Sequence, residues 1–159
     1  MIKVTIIALS KLKEKYLKDA SDEYLKRLSR YCKLQVVEIE PERLNDNPSQ
    51  NEINSALEKE AQAVFKRIPE SSYVAAMCIE GKKLSSENFA KTLSSAQFSP
   101  GGMTFIIGSS YGLADSVKKR ADIRLSVSDM TFPHQLFRIM LLEQIYRGFK
   151  INEGSAYHK

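Results

Sequence analysis

Short apolar segments alternate along this chain with longer segments whose apolar residues recur at helical spacing. Strand-like segments lie at 2–9, 34–39, 73–79, 103–107 and 123–127, and helical patterns lie at 13–31, 53–68, 86–93, 114–120 and 133–151. Such alternation is typical of α/β proteins, in which helices connect parallel strands. The segment 73–79 is almost entirely apolar, as a strand covered on both faces should be. The sequence therefore predicts a mostly parallel sheet with helices on both faces.

The chain has the size and composition of one domain. Its 159 residues are 43% hydrophobic and contain no repeat or linker, so we expect a single domain over residues 1–159. The longest apolar run, 73–79, is far shorter than the roughly 20 residues that cross a bilayer. Lys3 and Thr5 interrupt the apolar start, which favours a strand over a signal peptide. Two cysteines without metal or redox spacing agree with a cytoplasmic protein, and we expect no membrane partner.

The net charge of +5 comes from the first part of the chain. Residues 1–33 contain nine Lys or Arg and four Asp or Glu, whereas residues 34–159 contain fifteen of each. A local basic field favours a nucleic acid or another polyanion as partner. A solvated helix face is the alternative, because Lys13, Lys15 and Lys18 lie among acidic residues. Charge alone leaves both interpretations open.

Three loops follow predicted strands and are therefore the places where a ligand should bind in such a sheet. They are 80–83, where Gly81 is expected to turn the chain, 108–112 and 128–132. The loop 108–112 lacks the Lys-Ser/Thr of a phosphate-binding loop and the spacing of a dinucleotide fingerprint. Ser110 lacks the nucleophile-elbow pattern of an α/β hydrolase. The loop 108–112 is therefore either a ligand loop or only a turn.

The end of the chain carries chemically useful side chains. His134 follows Pro133, and a proline suits the start of a helix. The penultimate residue is His158, and the imidazole of histidine exchanges protons near neutral pH. The two histidines are far apart with no acidic cluster between them, so no metal site is predicted. Glu143 and Arg147 are one helical turn apart; they form a surface ion pair, or Glu143 holds Arg147 toward a phosphate or a base.

Four motifs follow one another in a specific order in the second half of the chain. They are FIIGSSYGL at 105–113, LSVSDMTFPHQ at 125–135, EQIYR at 143–147 and the terminal YHK at 157–159. Together they resemble the SPOUT class of methyltransferases, and in particular its bacterial family that acts on large-subunit ribosomal RNA. ALSKLK at 8–13 and GKKLSS at 81–86 extend the resemblance along the whole chain.

The resemblance implies a fold, a reaction and partners. The expected fold is the SPOUT-type α/β knot, with a C-terminal trefoil knot. The expected enzyme is a homodimer that transfers a methyl group from S-adenosylmethionine to N3 of a pseudouridine in 23S ribosomal RNA, within the assembled ribosome. A nonenzymatic RNA-binding ribosome factor on the same fold is the alternative, and it would not bind S-adenosylmethionine.

The resemblance also assigns site residues by position. The cofactor contacts fall on Met77, Gly108, Val127, Ser128, Asp129, Met130, Thr131 and Phe132. Two positions depart from the family pattern: Ser109 stands where a second glycine is usual, and Tyr111 replaces a commonly smaller polar residue.

The implied reaction assigns roles to the C-terminal residues. Direct displacement at the sulfonium methyl requires an aligned nitrogen nucleophile and no metal. Because N3 carries a weakly acidic proton, a base or a water must accept it, and His158 is the first candidate. Tyr157 is expected to stack on or orient the base, and Arg147 to hold a phosphate or a uracil carbonyl.

Overall fold

Strands and helices follow one another in strict alternation. The computed structural model describes residues 1–159. In chain order the elements are β1 (Ile2–Ala8), α1 (Lys15–Leu28), β2 (Cys32–Glu38), α2 (Gln50–Phe65), β3 (Tyr73–Lys83), α3 (Ser86–Ala96), β4 (Met103–Ile107), α4 (Asp115–Arg120), β5 (Ile123–Ser126) and α5 (His134–Asn152). None of the five helices combines the length and hydropathy of a segment that crosses a bilayer.

The five strands form one sheet in the order β2-β1-β4-β3-β5. Every pairing is parallel: β1 pairs with β2 and β4, and β3 pairs with β4 and β5. The predicted α/β class is therefore confirmed. Because β4, β3 and β5 are neighbours, the chain segments at their carboxyl ends lie side by side at one end of the sheet.

Alternate residues of the strands supply two separate hydrophobic cores. Val4, Ile6 and Phe105 belong to the core that α1, α3 and α5 cover. Ile7 and Ile106 belong to the core on the opposite face, which α2 and α4 cover. All five residues of β4 are buried, as a central parallel strand requires. Helices thus lie on both faces, as predicted.

Local signals set where the crossover helices begin. Ser49 accepts a hydrogen bond from the backbone N–H of Glu52, whose carboxylate accepts one from the Ser49 N–H, so α2 starts with a capping box. Ser85 caps α3 by accepting from the N–H of Asn88 at 3.1 Å. Each cap separates a helix from the chain segment that precedes it.

The prediction that Gly81 turns the chain is wrong. Strand β3 continues to Lys83, and its register with β5 shifts between Met77 and Lys82, both of which pair with Leu125. A Cβ at Gly81 would lie 2.6 Å from the backbone carbonyl carbon of Leu125. The glycine therefore permits two backbones to approach closely at an irregularity in the ladder, and the strand does not reverse.

Helix α5 is anchored to the sheet by a buried arginine. Arg138 is 2% exposed. Its Nη1 donates to Oε2 of Glu38 at 2.7 Å, and its Nη2 donates to the carbonyl oxygen of Ser10 at 2.7 Å. Since Glu38 ends β2 and Ser10 follows β1, Arg138 places the start of α5 against the carboxyl ends of these strands.

Candidate functional site

A cavity of about 700 Å³ opens where the carboxyl ends of β3, β4 and β5 meet. Three chain segments line most of it: 77–80 in β3, 107–113 at the end of β4, and 125–134 except residue 129. Half of the lining residues are hydrophobic. Small-molecule sites are usually apolar clefts of roughly 300–1,000 Å³ with a few polar groups. We take this first cavity as the candidate cofactor site.

The residues assigned to the cofactor by resemblance lie largely together in the structure. Those that line the first cavity are Met77, Gly108, Val127, Ser128, Met130, Thr131 and Phe132. Asp129 does not line it: its side chain is 83% exposed and forms an ion pair with Lys83. Asp129 therefore ties the loop after β5 to the end of β3.

The loop from Gly108 to Gly112 is folded too tightly for a side chain at its first position. A Cβ at Gly108 would lie 2.5 Å from the carbonyl oxygen of Gly112. The N–H of Gly112 donates to the carbonyl oxygen of Ser109 at 2.9 Å, and Gly112 has a φ of 84°, a conformation that favours glycine. The loop is thus a tight turn whose residues also line the cavity, and its role in binding a ligand stays a prediction.

The loop after β5 is held by hydrogen bonds of its own serines. Ser126 Oγ donates to the carbonyl oxygen of Ser128 at 2.9 Å, and Ser128 Oγ accepts from the N–H of Met130 at 2.9 Å. Short serine-to-backbone bonds of this kind stabilise turns. They give the cavity wall formed by residues 126–130 a defined shape.

One ion pair lies at the edge of the first cavity. Lys118 pairs with Glu80, and both residues line the cavity. The hydrogen bond from Lys118 lowers the pKa of the Glu80 carboxyl. An ionised carboxylate accepts hydrogen bonds from hydroxyl groups of a ligand. The sequence singled out the segment 80–83 but not this pair, because nothing in the sequence places residue 118 beside residue 80.

The C-terminal residues fold back onto α5 and meet at Glu143. The Oη of Tyr157 donates to Glu143 Oε2 at 3.1 Å, and the Oη of Tyr24 donates to the same oxygen at 2.6 Å. Arg147 Nη2 lies 2.7 Å from Glu143 Oε1, and the guanidinium carbon lies 4.7 Å from the centre of the Tyr157 ring. We call Tyr24, Glu143, Arg147, Tyr157 and His158 the tail cluster.

Both ring nitrogens of His158 are engaged within this structure. Nδ1 lies 3.2 Å from Nη1 of Arg147, and Nε2 lies 2.8 Å from Oε1 of Glu87. A guanidinium only donates and a carboxylate only accepts, so this network requires the neutral tautomer with its proton on Nε2. The lone pair of Nδ1, the only proton-accepting site of that tautomer, points at Arg147.

The two phenols of the tail cluster stay protonated near neutral pH. Burial and the Glu143 carboxylate raise the pKa of Tyr24 to about 12. Burial and the charge of Glu143 also raise the pKa of Tyr157. Each phenol therefore acts as a hydrogen-bond donor, and His158 remains the candidate proton acceptor in the cluster.

The tail cluster and the first cavity are separate within one chain. Arg147, Tyr157 and His158 do not line the first cavity. A further cavity of about 460 Å³ borders both regions, since its lining includes Met77 and Val127 of the cofactor site as well as Tyr24 and Glu143 of the tail cluster. A single chain thus does not bring the predicted proton acceptor and the predicted cofactor residues into one cavity.

A second cavity, of about 630 Å³, lies on the other side of the glycine loop. Ser109, Ser110, Tyr111 and His134 line both the first and the second cavity. His134 is the first residue of α5, and burial together with the nearby Arg138 lowers its pKa. His134 therefore starts the helix, as its sequence position favoured, and also faces both cavities. No group of three or more His, Cys, Asp or Glu side chains is placed to hold a metal ion.

Comparison with known proteins gives one consistent family. The chain matches the family model described as "Predicted SPOUT methyltransferase" over residues 2–158. It is 51% identical over 157 residues to "Ribosomal RNA large subunit methyltransferase H" of Clostridium kluyveri, with 98% of this chain and 99% of the relative covered. A protein of the same name from Clostridioides difficile is 50% identical, with the same coverage.

Two solved structures share the fold at low sequence identity. A probable methylase family protein from Haemophilus influenzae Rd KW20 superimposes with a TM-score of 0.60 and 10% identity, covering 100% of this chain and 72% of that one. TrmJ from Z. mobilis ZM4 superimposes with a TM-score of 0.56 and 15% identity, covering 93% and 70%. At these identities the likeness concerns the fold alone.

Proposed function

Because this chain belongs to the SPOUT methyltransferase family, we propose that it transfers a methyl group from S-adenosylmethionine to N3 of a pseudouridine in 23S ribosomal RNA. It is an rRNA methyltransferase, in keeping with its similarity over nearly its full length to enzymes of that name. The methyl donor, the target atom and the assembled ribosome in the cytoplasm as substrate are the proposal. The observation that carries it is the cavity where three strand ends meet.

The first cavity suits S-adenosylmethionine in size and in lining. Apolar side chains such as Met77, Leu125 and Phe137 offer surface to an adenine ring and to carbon atoms beside the sulfur. The Glu80 carboxylate suits ribose hydroxyls, and the tight glycine loop brings backbone close to a ligand. When bound, the cofactor supplies an electrophilic methyl group at its sulfonium centre. The residues of the cavity bind and orient that group.

In this proposal the tail cluster supplies the proton acceptor and holds the RNA. Nδ1 of His158 can accept the N3 proton only after its contact with Arg147 is broken. RNA phosphates and uracil carbonyls attract an arginine side chain. Substrate that draws Arg147 away would therefore expose Nδ1 at the moment when the nucleotide arrives. Glu143, which also contacts Arg147 and Tyr157, keeps the rest of the cluster in place.

We further propose that the active form is a homodimer in which the tail cluster of one copy faces the first cavity of the other. The separation of the two regions within one chain motivates this arrangement. Exposed apolar side chains that line the first cavity support it: Ile79 is 51% exposed, Val127 42% and Met130 75%. Such exposed apolar side chains are typical of an interaction surface.

Light scattering tests directly whether the protein is a dimer. At micromolar concentration the protein should have twice the 18.0 kDa mass of the chain. A monomer mass would contradict the dimer.

Methylation of ribosomes tests the proposed reaction. Purified protein, S-adenosylmethionine and ribosomes from a strain that lacks the corresponding methyltransferase should yield 23S rRNA with one additional methyl group. Mass spectrometry of nuclease digests should locate that group at N3 of a pseudouridine. Methylation of another nucleotide or atom would contradict the assignment. A protein that binds ribosomes but neither binds S-adenosylhomocysteine nor methylates RNA would instead favour the nonenzymatic RNA-binding alternative.

A further inference from the structure

A buried carboxylate in α2 joins two loops that border the second cavity. Glu60 is 4% exposed. Its Oε1 accepts a hydrogen bond from Ser109 Oγ at 3.0 Å, and its Oε2 accepts one from the backbone N–H of Glu42 at 2.9 Å. Ser109 belongs to the glycine loop that separates the two cavities, and Glu42 lies in the segment 40–46 on the far wall of the second cavity.

The burial of Glu60 is unfavourable unless its hydrogen bonds offset it. Its buried neighbours on α2 are the apolar Ala56, Ala61 and Val64, and no Lys, Arg or His forms an ion pair with it. A carboxylate removed from water is costly unless it is hydrogen-bonded, and burial accordingly raises the pKa of Glu60. The two loop contacts are the hydrogen bonds that stabilise this side chain, so the carboxylate and the loops hold each other in place.

We propose that Glu60 is a positioning residue for the cofactor loop, acting through the hydroxyl of Ser109. The backbone bridge between Ser109 and Gly112 closes the loop on itself, and the bond to Glu60 fixes the closed loop to α2. This role rests on the proposed function, because the loop lines the proposed cofactor cavity. The proposed role also explains why a serine is useful at position 109, where the family usually has a second glycine. The Ser109 hydroxyl can hydrogen-bond to Glu60, and a glycine cannot.

The tether is tested by removing one hydroxyl. Ser109→Ala should weaken S-adenosylhomocysteine binding about tenfold in calorimetry, the scale of a hydrogen bond to a charged group. The KM for S-adenosylmethionine should rise by a similar factor, while kcat at saturating cofactor should stay within about twofold, because the hydroxyl positions the loop and takes no part in the reaction.

Glu60 itself is tested by two substitutions. Glu60→Gln should weaken binding less than Glu60→Ala, since its amide oxygen can accept from the Glu42 N–H while its NH2 group donates to Ser109, although neither bond involves a charge any longer. Glu60→Ala should weaken S-adenosylhomocysteine binding about as much as Ser109→Ala does. The double variant Ser109→Ala/Glu60→Ala should lose no more affinity than the single variant that loses more, because both changes break the same hydrogen bond. If Glu60→Ala does not fold, the Ser109→Ala comparison still decides the question.

The chain offers a matched control for the serine. Ser116 Oγ donates to Glu58 Oε1 at 2.9 Å, so this bond also joins a serine to a glutamate of α2, yet Ser116 lines neither cavity. Ser116→Ala should leave cofactor affinity unchanged. If Ser109→Ala protein binds S-adenosylhomocysteine like wild type, the inference about Glu60 is overturned, but the proposed function is not. Wild-type protein that binds none would contradict the proposed function and this inference with it.

Discussion

Replacing Gly108 by alanine should greatly weaken cofactor binding, because the added methyl group has no room in the glycine loop. The new Cβ would lie 2.5 Å from the carbonyl oxygen and 2.6 Å from the carbonyl carbon of Gly112. Ordinary contacts of a Cβ begin at 3.4 Å, so the oxygen must move by about 0.9 Å. Both clashing atoms are backbone, and no side chain can rotate away to relieve them. The whole turn from Gly108 to Gly112 must open.

A displacement of this size is large for a binding site. Overpacking a tight position costs about 1–3 kcal/mol, and a loss of about 2.7 kcal/mol in binding free energy corresponds to about 100-fold in affinity. Gly108→Ala should therefore weaken S-adenosylhomocysteine binding by about 100-fold in calorimetry and lower the melting temperature by a few degrees. Circular dichroism should show that the variant is still folded.

Gly101 provides the control for the loss of stability. A Cβ at Gly101 would lie 2.3 Å from the carbonyl oxygen of Glu70, an equally tight backbone clash, but Gly101 precedes β4 and lies outside the first cavity. Gly101→Ala should be destabilised to a similar degree and should bind the cofactor normally. Folded Gly108→Ala protein that binds the cofactor as tightly as Gly101→Ala protein would contradict the proposed role of the glycine loop.

The other predictions concern the proton acceptor, the basic segment and the half-buried phenol of Tyr24. His158→Ala should lower single-turnover methylation by about 100-fold, the usual scale for a general base, with unchanged cofactor affinity; a full-speed variant would assign the proton to another acceptor. Changing Lys11, Lys13 and Lys15 together to Glu should weaken ribosome binding and reduce its dependence on salt; an unchanged salt slope would leave this segment as a solvated surface. The free energy of unfolding should fall as pH rises from 10.0 to about 12, because folded Tyr24 keeps a proton that the unfolded chain releases. Denaturant titrations on both sides of pH 10.0 should show less of this loss in Tyr24→Phe protein, and an equal loss in both proteins would exclude Tyr24 as its source.

Most of the fold was predictable because the relevant signals are local. The alternation of strand and helix patterns predicted the parallel sheet, and all five predicted strands and five predicted helices exist. The turn predicted at Gly81 is the exception, because β3 continues through this residue. Glycine favours turns and close backbone approach for the same reason, namely the missing Cβ, and only the position of β5 beside β3 shows which applies.

The residues that line the first cavity were predictable in part. The strand-end rule singled out three segments, of which 108–112 and most of 128–132 line the first cavity, whereas 80–83 belongs to β3 and contributes only Glu80; the resemblance assigned individual residues there. The outward position of Asp129 was not predictable, because Lys83 is distant in sequence. Glu60 gave no signal either: a glutamate within a charged helical stretch is expected on the surface, and its burial depends on Ser109 and Glu42.

The order of the elements, the parallel pairing they require and the family of the chain all follow from its amino-acid sequence. The tertiary structure decided which distant side chains meet: Lys118 with Glu80, Tyr24 with Glu143, Arg147 with His158. It also decided that the tail cluster and the first cavity are separate within one chain. The physical reason is that periodicity and capping act within a few turns of chain, whereas hydrogen bonds and ion pairs between distant residues depend on how helices pack on the sheet.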